Sequence, residues 1–390
     1  MWEPNPFHLY PEKAEAFWLK QAEEVTGLLE EEALERMTPY VSELSDLFTI
    51  DRPDTHFPDY FKDPTLLTAY GVFFLPQSFV RTSFALSYLL DFRQWKCLNP
   101  CPRILDLGSG PGSCGVSVAH QFLQRGVKKV DLVGVDKSPS ALAGFEQFAQ
   151  SVLGNKATIS TRVGDASHPQ NWPSGSFDVV VAGFVMNEMK QLSDSDLISW
   201  IQEVQKHLHP EGLLLIIEPA LRQTSERLQR LSDHLAHRGI ITRLGPDLDA
   251  HPCPQLAQGQ HWSHEVRRWH IPATVDFVNR KLHRDLREVR FSFAAFSNRA
   301  CPPVPARARR IVSDIQMIKG LIRFIAVYQG QCETIEIATR GHSKHEVKLL
   351  AGRLERGDVI AHQGEHAPKV RLSSFADLEV LYSAHESTSQ

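Results

Sequence analysis

The chain has 390 residues, 42% of them hydrophobic and 23% charged, with a net charge of −4. That excludes a disordered or fibrous chain and leaves room for two or three domains. No run approaches the roughly 18 to 20 apolar residues of a membrane helix, and Met1-Trp2-Glu3-Pro4 opens neither a secretory signal nor an Arg-rich presequence, so a cytoplasmic location with no membrane partner is expected.

In chain order, residues 11–37 are expected as one helix, with Trp18, Ala22, Val25 and Leu29 on a single face. A polar loop over 49–64 follows, then an apolar helix over 65–92 that Pro76 should break or kink. From Arg103 onward, short apolar runs alternate with helical patterns. The run 104–107, then 130–136, 157–163, 177–183 and 213–219 read as five strands of a parallel, doubly wound α/β sheet. Ser193 should cap a helix with Leu197, Ile201, Val204 and Leu208 inward, and a charged helix is expected over 223–237. Residues 244–273 look irregular, and 288–297 alternates as a half-buried strand does. The segments 320–328 and 332–340 read as a hairpin, while 348–356 and 358–362 close a small β-rich end, with 385–390 expected to be disordered. The expected division is a helical region over 1–98, a core over 99–300 and a β-rich region over 301–390.

Ile104-Leu105-Asp106-Leu107-Gly108-Ser109-Gly110-Pro111-Gly112 carries the chemistry. It reads as a strand ending in an acidic glycine turn before a helix. Glycines permit positive φ and close ligand approach, and the helix offers free N–H groups. A carboxylate two residues before the first glycine suits an amine-bearing ligand better than a dinucleotide phosphate. Asp136 ends the next strand, 24 residues after Gly112, where a βαβ unit places an acid against ribose hydroxyls. Gly164-Asp165-Ala166 follows the third strand. The D-x-G-x-G-x-G pattern resembles motif I of class I S-adenosylmethionine (SAM) dependent methyltransferases. The alternative is a Rossmann domain for another nucleotide, or an unused turn. The resemblance implies a Rossmann-like, mostly parallel seven-stranded sheet and SAM as cofactor. Asp106, Gly108, Gly110 and Gly112 would form the turn, Asp136 would hold the ribose and Asp165 the adenine amine. Asp178, at the start of the fourth strand, is a further candidate.

Further segments resemble the methyltransferase-like family associated with the mitochondrial small ribosomal subunit and its bacterial relatives. They are Ala69-Tyr70, Leu75-Pro76, Phe79 and Arg81, Met186-Asn187-Glu188-Met189, Glu218-Pro219, His251-Pro252-Cys253-Pro254-Gln255, Trp262-Ser263-His264, Phe291-Ser292-Phe293 and Arg356-Gly357-Asp358. The similarity runs from about residue 65 to 360. Many members hold an iron–sulfur cluster on four cysteines. Here Cys253 fits the first, 256–260 lacks the second, Ser263 replaces the third, and the strand near Ala326 and Val327 lacks the fourth, although Cys332 is close. One thiolate cannot hold a cluster needing about four ligands, so no iron–sulfur cluster is expected. His261, His264 and His270 beside Cys253 could form a zinc site; a loop ordered by packing is the favoured reading, and no metal ligand is assigned. The remaining cysteines, including the Cys97–Cys101 pair, are expected as free thiols.

Two features bear on the acceptor. Residues 265–310 hold 11 Lys or Arg against 4 acids, a +7 segment on an acidic chain. Within it Arg267, Arg268, Arg280, Lys281, Arg284 and Arg287 are candidate RNA contacts, with Trp269, Phe277, Phe291 and Phe293 interleaved. The alternatives are a solvated face whose arginines pair with acids elsewhere, and aromatics that belong to the core. Second, Asn187 and Glu188 follow the fourth strand, where the methyl group should face its acceptor. Glu188 could act as base, or only cap or pair at a helix start. The stretch lacks the D/N-P-P-Y/F of exocyclic base-nitrogen methyltransferases. No cysteine follows the fourth or fifth strand, as C5 methylation of pyrimidines would need. Three readings stand: a methyltransferase of ribosomal RNA or the small ribosomal subunit, a SAM-binding assembly factor with little or no transferase activity, and a methyltransferase of a small molecule or protein. The oligomeric state is not legible.

Overall fold

The computed structural model describes residues 5–49, 58–259, 262–299, 302–364 and 366–384. His261, Cys301, the 385–390 tail and residues 50–57 of the expected 49–64 loop lie outside the described residues. The first helices are α1 (Glu12–Thr26) and α2 (Glu30–Phe48). The single helix expected over 11–37 is thus two, because Gly27 sits at φ 70° and ends the first. Trp18 and Ala22 are buried, but Leu29 is 72% exposed because the chain has already turned there. The third helix, α3 (Pro64–Ser87), runs through Pro76 without a break and continues as a π turn over Tyr88–Phe92. Most of the helix is buried between layers, so packing outweighs the local cost of the missing N–H.

The core alternates as expected: β1 (Arg103–Leu107), α4 (Ser113–Gln124), β2 (Val130–Asp136), α5 (Pro139–Leu153), β3 (Ala157–Val163), β4 (Phe177–Gly183), α6 (Asp194–His207), β5 (Leu208–Pro219) and α7 (Arg222–His237). Ser193 caps α6 through a reciprocal bond with Asp196. Then come β6 (Thr242–Gly245), α8 (Pro254–Gln258), β7 (Glu265–Arg268), α9 (Ala273–Lys281) and β8 (Glu288–Ser297). The sheet order is β3-β2-β1-β4-β5-β8-β6, with β7 also on β8. Strands β3 to β5 are parallel, and β8 runs antiparallel to β5 with Leu215 opposite Ala295. The sheet therefore has eight strands rather than seven. The extra one is β7, inside a stretch expected to be irregular.

Alternate residues serve opposite layers. Ile104, Val179, Val181, Leu213 and Leu215 pack toward α1–α5, whereas Leu105, Val180, Ala182, Leu214 and Ile216 pack toward α6 and α7. Coverage on both faces explains the unbroken apolar runs. It also corrects the reading of β8, which is buried on both sides over most of its length rather than half-buried. Phe291 and Phe293 are core residues.

The last part builds a second sheet from β9 (Ala308–Ile311), β10 (Gln316–Ile318), β11 (Leu321–Tyr328) and β12 (Gln331–Ala338), then β13 (Val359–His362), β14 (Lys369–Leu372) and β15 (Leu378–Tyr382). Its order is β14-β12-β11-β9-β13-β15, with β10 on β11. The β11–β12 hairpin turns at Gln329-Gly330, both at positive φ. Part of the span 348–356, expected within the β-rich end, is instead helical, in α10 (Lys344–Ala351), capped by Ser343. Buried ion pairs tie the two sheets together. Arg267 on β7 reaches Asp358 before β13 at 2.6 Å and Glu265 at 3.0 Å, and Glu265 also meets Arg310 on β9. Among the described residues, no helix is long and apolar enough to cross a membrane.

Candidate active site

The acid–glycine turn lies at the C-terminal end of β1, the usual ligand end of an open parallel sheet. Gly108, Gly110 and Gly112 all have positive φ (67°, 50° and 100°). At Gly108 a Cβ would stand 2.4 Å from the Val185 side chain, so the turn also needs the missing carbon. The turn opens into a cleft of about 900 Å³. Its floor comes from the ends of β1, β2 and β4, and one wall from the N-terminal helices through Tyr60, Phe61 and Tyr70.

Asp106 is fully buried at the cleft floor. One carboxylate oxygen accepts the Gly115 N–H of α4 at 2.7 Å, and the other, Oδ1, has no partner. Burial pushes its carboxyl up to about 7 against that bond, with Asp136 nearby adding to the rise. Asp136 ends β2 and accepts the Gly110 N–H at 2.8 Å and the Ser138 N–H at 2.9 Å. It thereby holds the glycine turn and the start of α5 together, it lines the cleft, and each oxygen keeps acceptor capacity beyond the bond it makes. Burial holds its carboxyl above the ordinary value, against those two bonds. Asp165 lies on the rim, where its Oδ1 accepts both the N–H (2.8 Å) and the O–H (2.7 Å) of Ser167. Although burial raises it, these bonds and His168 bring its carboxyl below the usual range.

The cleft fits SAM on its own atoms. It has a buried carboxylate oxygen without a partner at Asp106, a second acid at the end of β2, and a backbone turn with no side chain in the way. Residues 105–214 match the methyltransferase domain family. No curated protein matches the sequence. Among solved structures the chain is similar to a TehB-like SAM-dependent methyltransferase from Corynebacterium glutamicum (15% identity over 56% of this chain and 87% of that one, TM-score 0.30). It is also similar to the magnesium protoporphyrin IX methyltransferase of Synechocystis (14%, 66% and 96%, TM-score 0.32) and a SAM-dependent methyltransferase from Clostridium acetobutylicum (12%, 76% and 87%, TM-score 0.28). The chain carries a Rossmann-like SAM-dependent methyltransferase domain. Its cofactor is S-adenosylmethionine.

Other expected residues fall elsewhere. Asp178 starts β4 at the end of the sheet away from the cleft. It accepts bonds from the Arg103 N–H (2.8 Å) and the Asn99 side chain (2.9 Å), stapling the entries of β1 and β4, and does not line the cofactor cleft. An acid at the start of a parallel strand is a full strand length from the ligand end. Glu188 does line the cleft, but its carboxylate pairs with Lys137 at 3.2 Å. Asn187 lines a neighbouring groove with Lys190, Leu221 and Arg222, and its side chain donates to the Phe184 carbonyl at 3.3 Å. The loop between them is set by Glu218. This fully buried acid accepts the N–H groups of Met186 (2.9 Å) and Asn187 (3.1 Å), while Phe184 sits at φ 64°. Glu218 was legible only as part of an E-P match. Tyr60, Phe61 and Tyr70 carry no pattern that links a separate helical region to this cleft.

The basic segment divides. Arg267 is 4% exposed inside the ion pairs joining the sheets, which removes it as an RNA contact. Arg268 pairs with Glu355 and donates to the Gly352 carbonyl at 2.8 Å. Arg280 and Arg287 are exposed beside Asp276 and Asp285, Lys281 pairs with Glu35, and Arg284 lies over the Phe73 ring. Of the interleaved aromatics, Trp269, Phe277, Phe291 and Phe293 are all buried. Cys253 is buried at the start of α8, and His264 stacks on Trp262 and bonds its carbonyl at 3.0 Å.

Proposed function

We propose that the protein transfers a methyl group from SAM to the RNA of the small ribosomal subunit. The observation that carries the transferase reading is the open, buried Asp106 oxygen at the floor of a glycine-turn cleft. The acceptor reading is supported by the resemblance over residues 65 to 360 and by the exposed Arg280, Lys281 and Arg287. Bound SAM supplies an electrophilic methyl on a sulfonium. The residues of the chain contribute position: the Gly108–Gly112 turn and Asp136 fix the nucleoside end, and the Phe184–Glu188 loop, held by Glu218, shapes the side from which an acceptor enters. The Glu188 carboxylate pairs with Lys137, and the chemistry proposed is transfer to an acceptor atom that is already nucleophilic.

The pairing of Glu188 also favours a second reading, a SAM-binding assembly factor with little or no transferase activity. Labelled SAM, naked small-subunit RNA and immature small subunits separate the two. Label transferred to RNA supports the transferase. Salt-sensitive binding of the particle without transfer supports the assembly factor. Binding to neither overturns the ribosomal reading.

A further inference from the structure

Lys137 and Glu188 stand on opposite sides of the glycine turn. Lys137 follows Asp136 at the end of β2, and Asp136 accepts the Gly110 N–H at 2.8 Å. Glu188 lies beyond β4, one turn after Val185. Its N–H donates to the Val185 carbonyl at 2.9 Å, and the Val185 side chain is the one that lies against Gly108. Strands β2 and β4 flank β1 on either side. Neighbouring strands are about 4.8 Å apart, so about 10 Å separates these two. Yet the Lys137 ammonium meets the Glu188 carboxylate at 3.2 Å. Both residues line the cofactor cleft. The pair thus bridges the end of β1, where a ligand on the glycine turn must lie.

The two ends differ in freedom. Glu188 belongs to the loop that Glu218 holds through the N–H groups of Met186 and Asn187. Lys137 carries its charge on a flexible four-carbon stem, so it can leave without moving the backbone. Acids stand ready on its own side. Although burial lowers it, Glu188, Asp136 and Asp165 together hold the Lys137 ammonium above its ordinary value. From the helical wall, Tyr60 is also within electrostatic reach of Glu188 and Asp136. With 51% and 37% of the two side chains exposed, water screens the pair and it opens easily. A ligand beneath it excludes water from one side and strengthens the same contact. We propose that the Lys137–Glu188 pair is a strap across the mouth of the cleft, opened by a swing of Lys137 to admit the cofactor and closed again over it. The strap sets how fast the cofactor leaves. This inference rests on SAM binding in the cleft.

Release of labelled SAM from the full chain into excess unlabelled SAM tests it. Lys137→Met and Glu188→Gln should each speed release about three- to fivefold, the range open to one partly exposed ion pair. The double variant should be no faster than either single one, because the strap needs both ends. Lys137→Arg keeps the charge and the reach, and should stay within about twofold of wild type. Raising the salt concentration should speed release from the wild type and leave the double variant unchanged. Equal melting temperatures without SAM show that the variants are folded. Release that is unchanged in both single variants overturns the strap. So do effects that multiply in the double variant, since each residue would then hold the cofactor by itself. If the wild type binds no labelled SAM at equilibrium, the cofactor reading itself fails, and the strap with it.

Discussion

With Asp106 at the floor of the cleft, cofactor binding and stability should respond to pH in opposite directions. Its unfolded value is that of a free aspartate, about 4, and burial lifts the folded value to about 7. A carboxyl raised on folding favours the folded state fully below the unfolded value and loses that advantage as pH rises through the folded one. On the order of 4 kcal/mol separates the two limits. The apo protein should therefore lose thermal stability between about pH 4 and pH 7, and Asp106→Asn should flatten that slope. SAM should bind more tightly toward the upper end, where the acid is charged for its ammonium. Parallel slopes in wild type and variant, read by scanning calorimetry, would show that the drop comes from other groups. Asp136→Ala removes the acceptor of the Gly110 and Ser138 N–H groups and, on the proposed reading, that of the ribose. SAM affinity should fall by about 1 to 3 kcal/mol, and titration with the variant checks this. Both acids could be placed from sequence because each ends an apolar run. Asp178 looked equivalent, but it begins its strand, and strand direction decides which end meets the ligand.

At the scale of elements, periodicity located the strands and helices of the core but not always their surroundings. The alternation in β8 suggested one wet face, yet β5 and β6 flank it and helices cover both sides. Pro76 suggested a break, yet α3 is buried along its length. The basic segment shows the same limit, since sequence counts charges but does not say which are already matched. Arg267 and Arg310 are inside, whereas Arg280, Lys281 and Arg287 are exposed and Arg284 is half-buried. Charge reversal at these last four should weaken binding to small-subunit RNA and flatten its dependence on salt, as fewer counterions are released. A filter-binding series across salt concentrations is the check, and an unchanged slope would remove α9 and its following turn from the RNA-facing surface.

Over the whole molecule, the two sheets are joined by charge as much as by apolar contact. Arg267 sits between Glu265 and Asp358, and Glu265 also holds Arg310. Glu265 and Asp358 are buried, so removing Arg267 leaves Asp358 without a cation and Glu265 with Arg310 alone. Arg267→Met should cost about 3 to 5 kcal/mol, seen as a lower urea midpoint by tryptophan fluorescence. If the midpoint does not move, the pairs contribute little to holding the two sheets in place. The resemblance to a family with a cluster-bearing loop gave no hint of this network, because ion pairs between residues 91 positions apart leave no spacing pattern.

The sequence by itself determined the doubly wound core, the glycine turn, and the acids at the ends of β1 and β2. These are local features: a strand, its last residue and the turn after it are contiguous in the chain, and the backbone conformation they need is written in residue type. Only the tertiary structure decided which charges are spent and which are open. It buried Arg267 among acids, paired Glu188 with Lys137, turned Asn187 to another groove, and brought Tyr70 from a distant helix to the cofactor cleft. Whether a charge has a partner depends on what folds against it, and packing settles that between segments far apart in the chain.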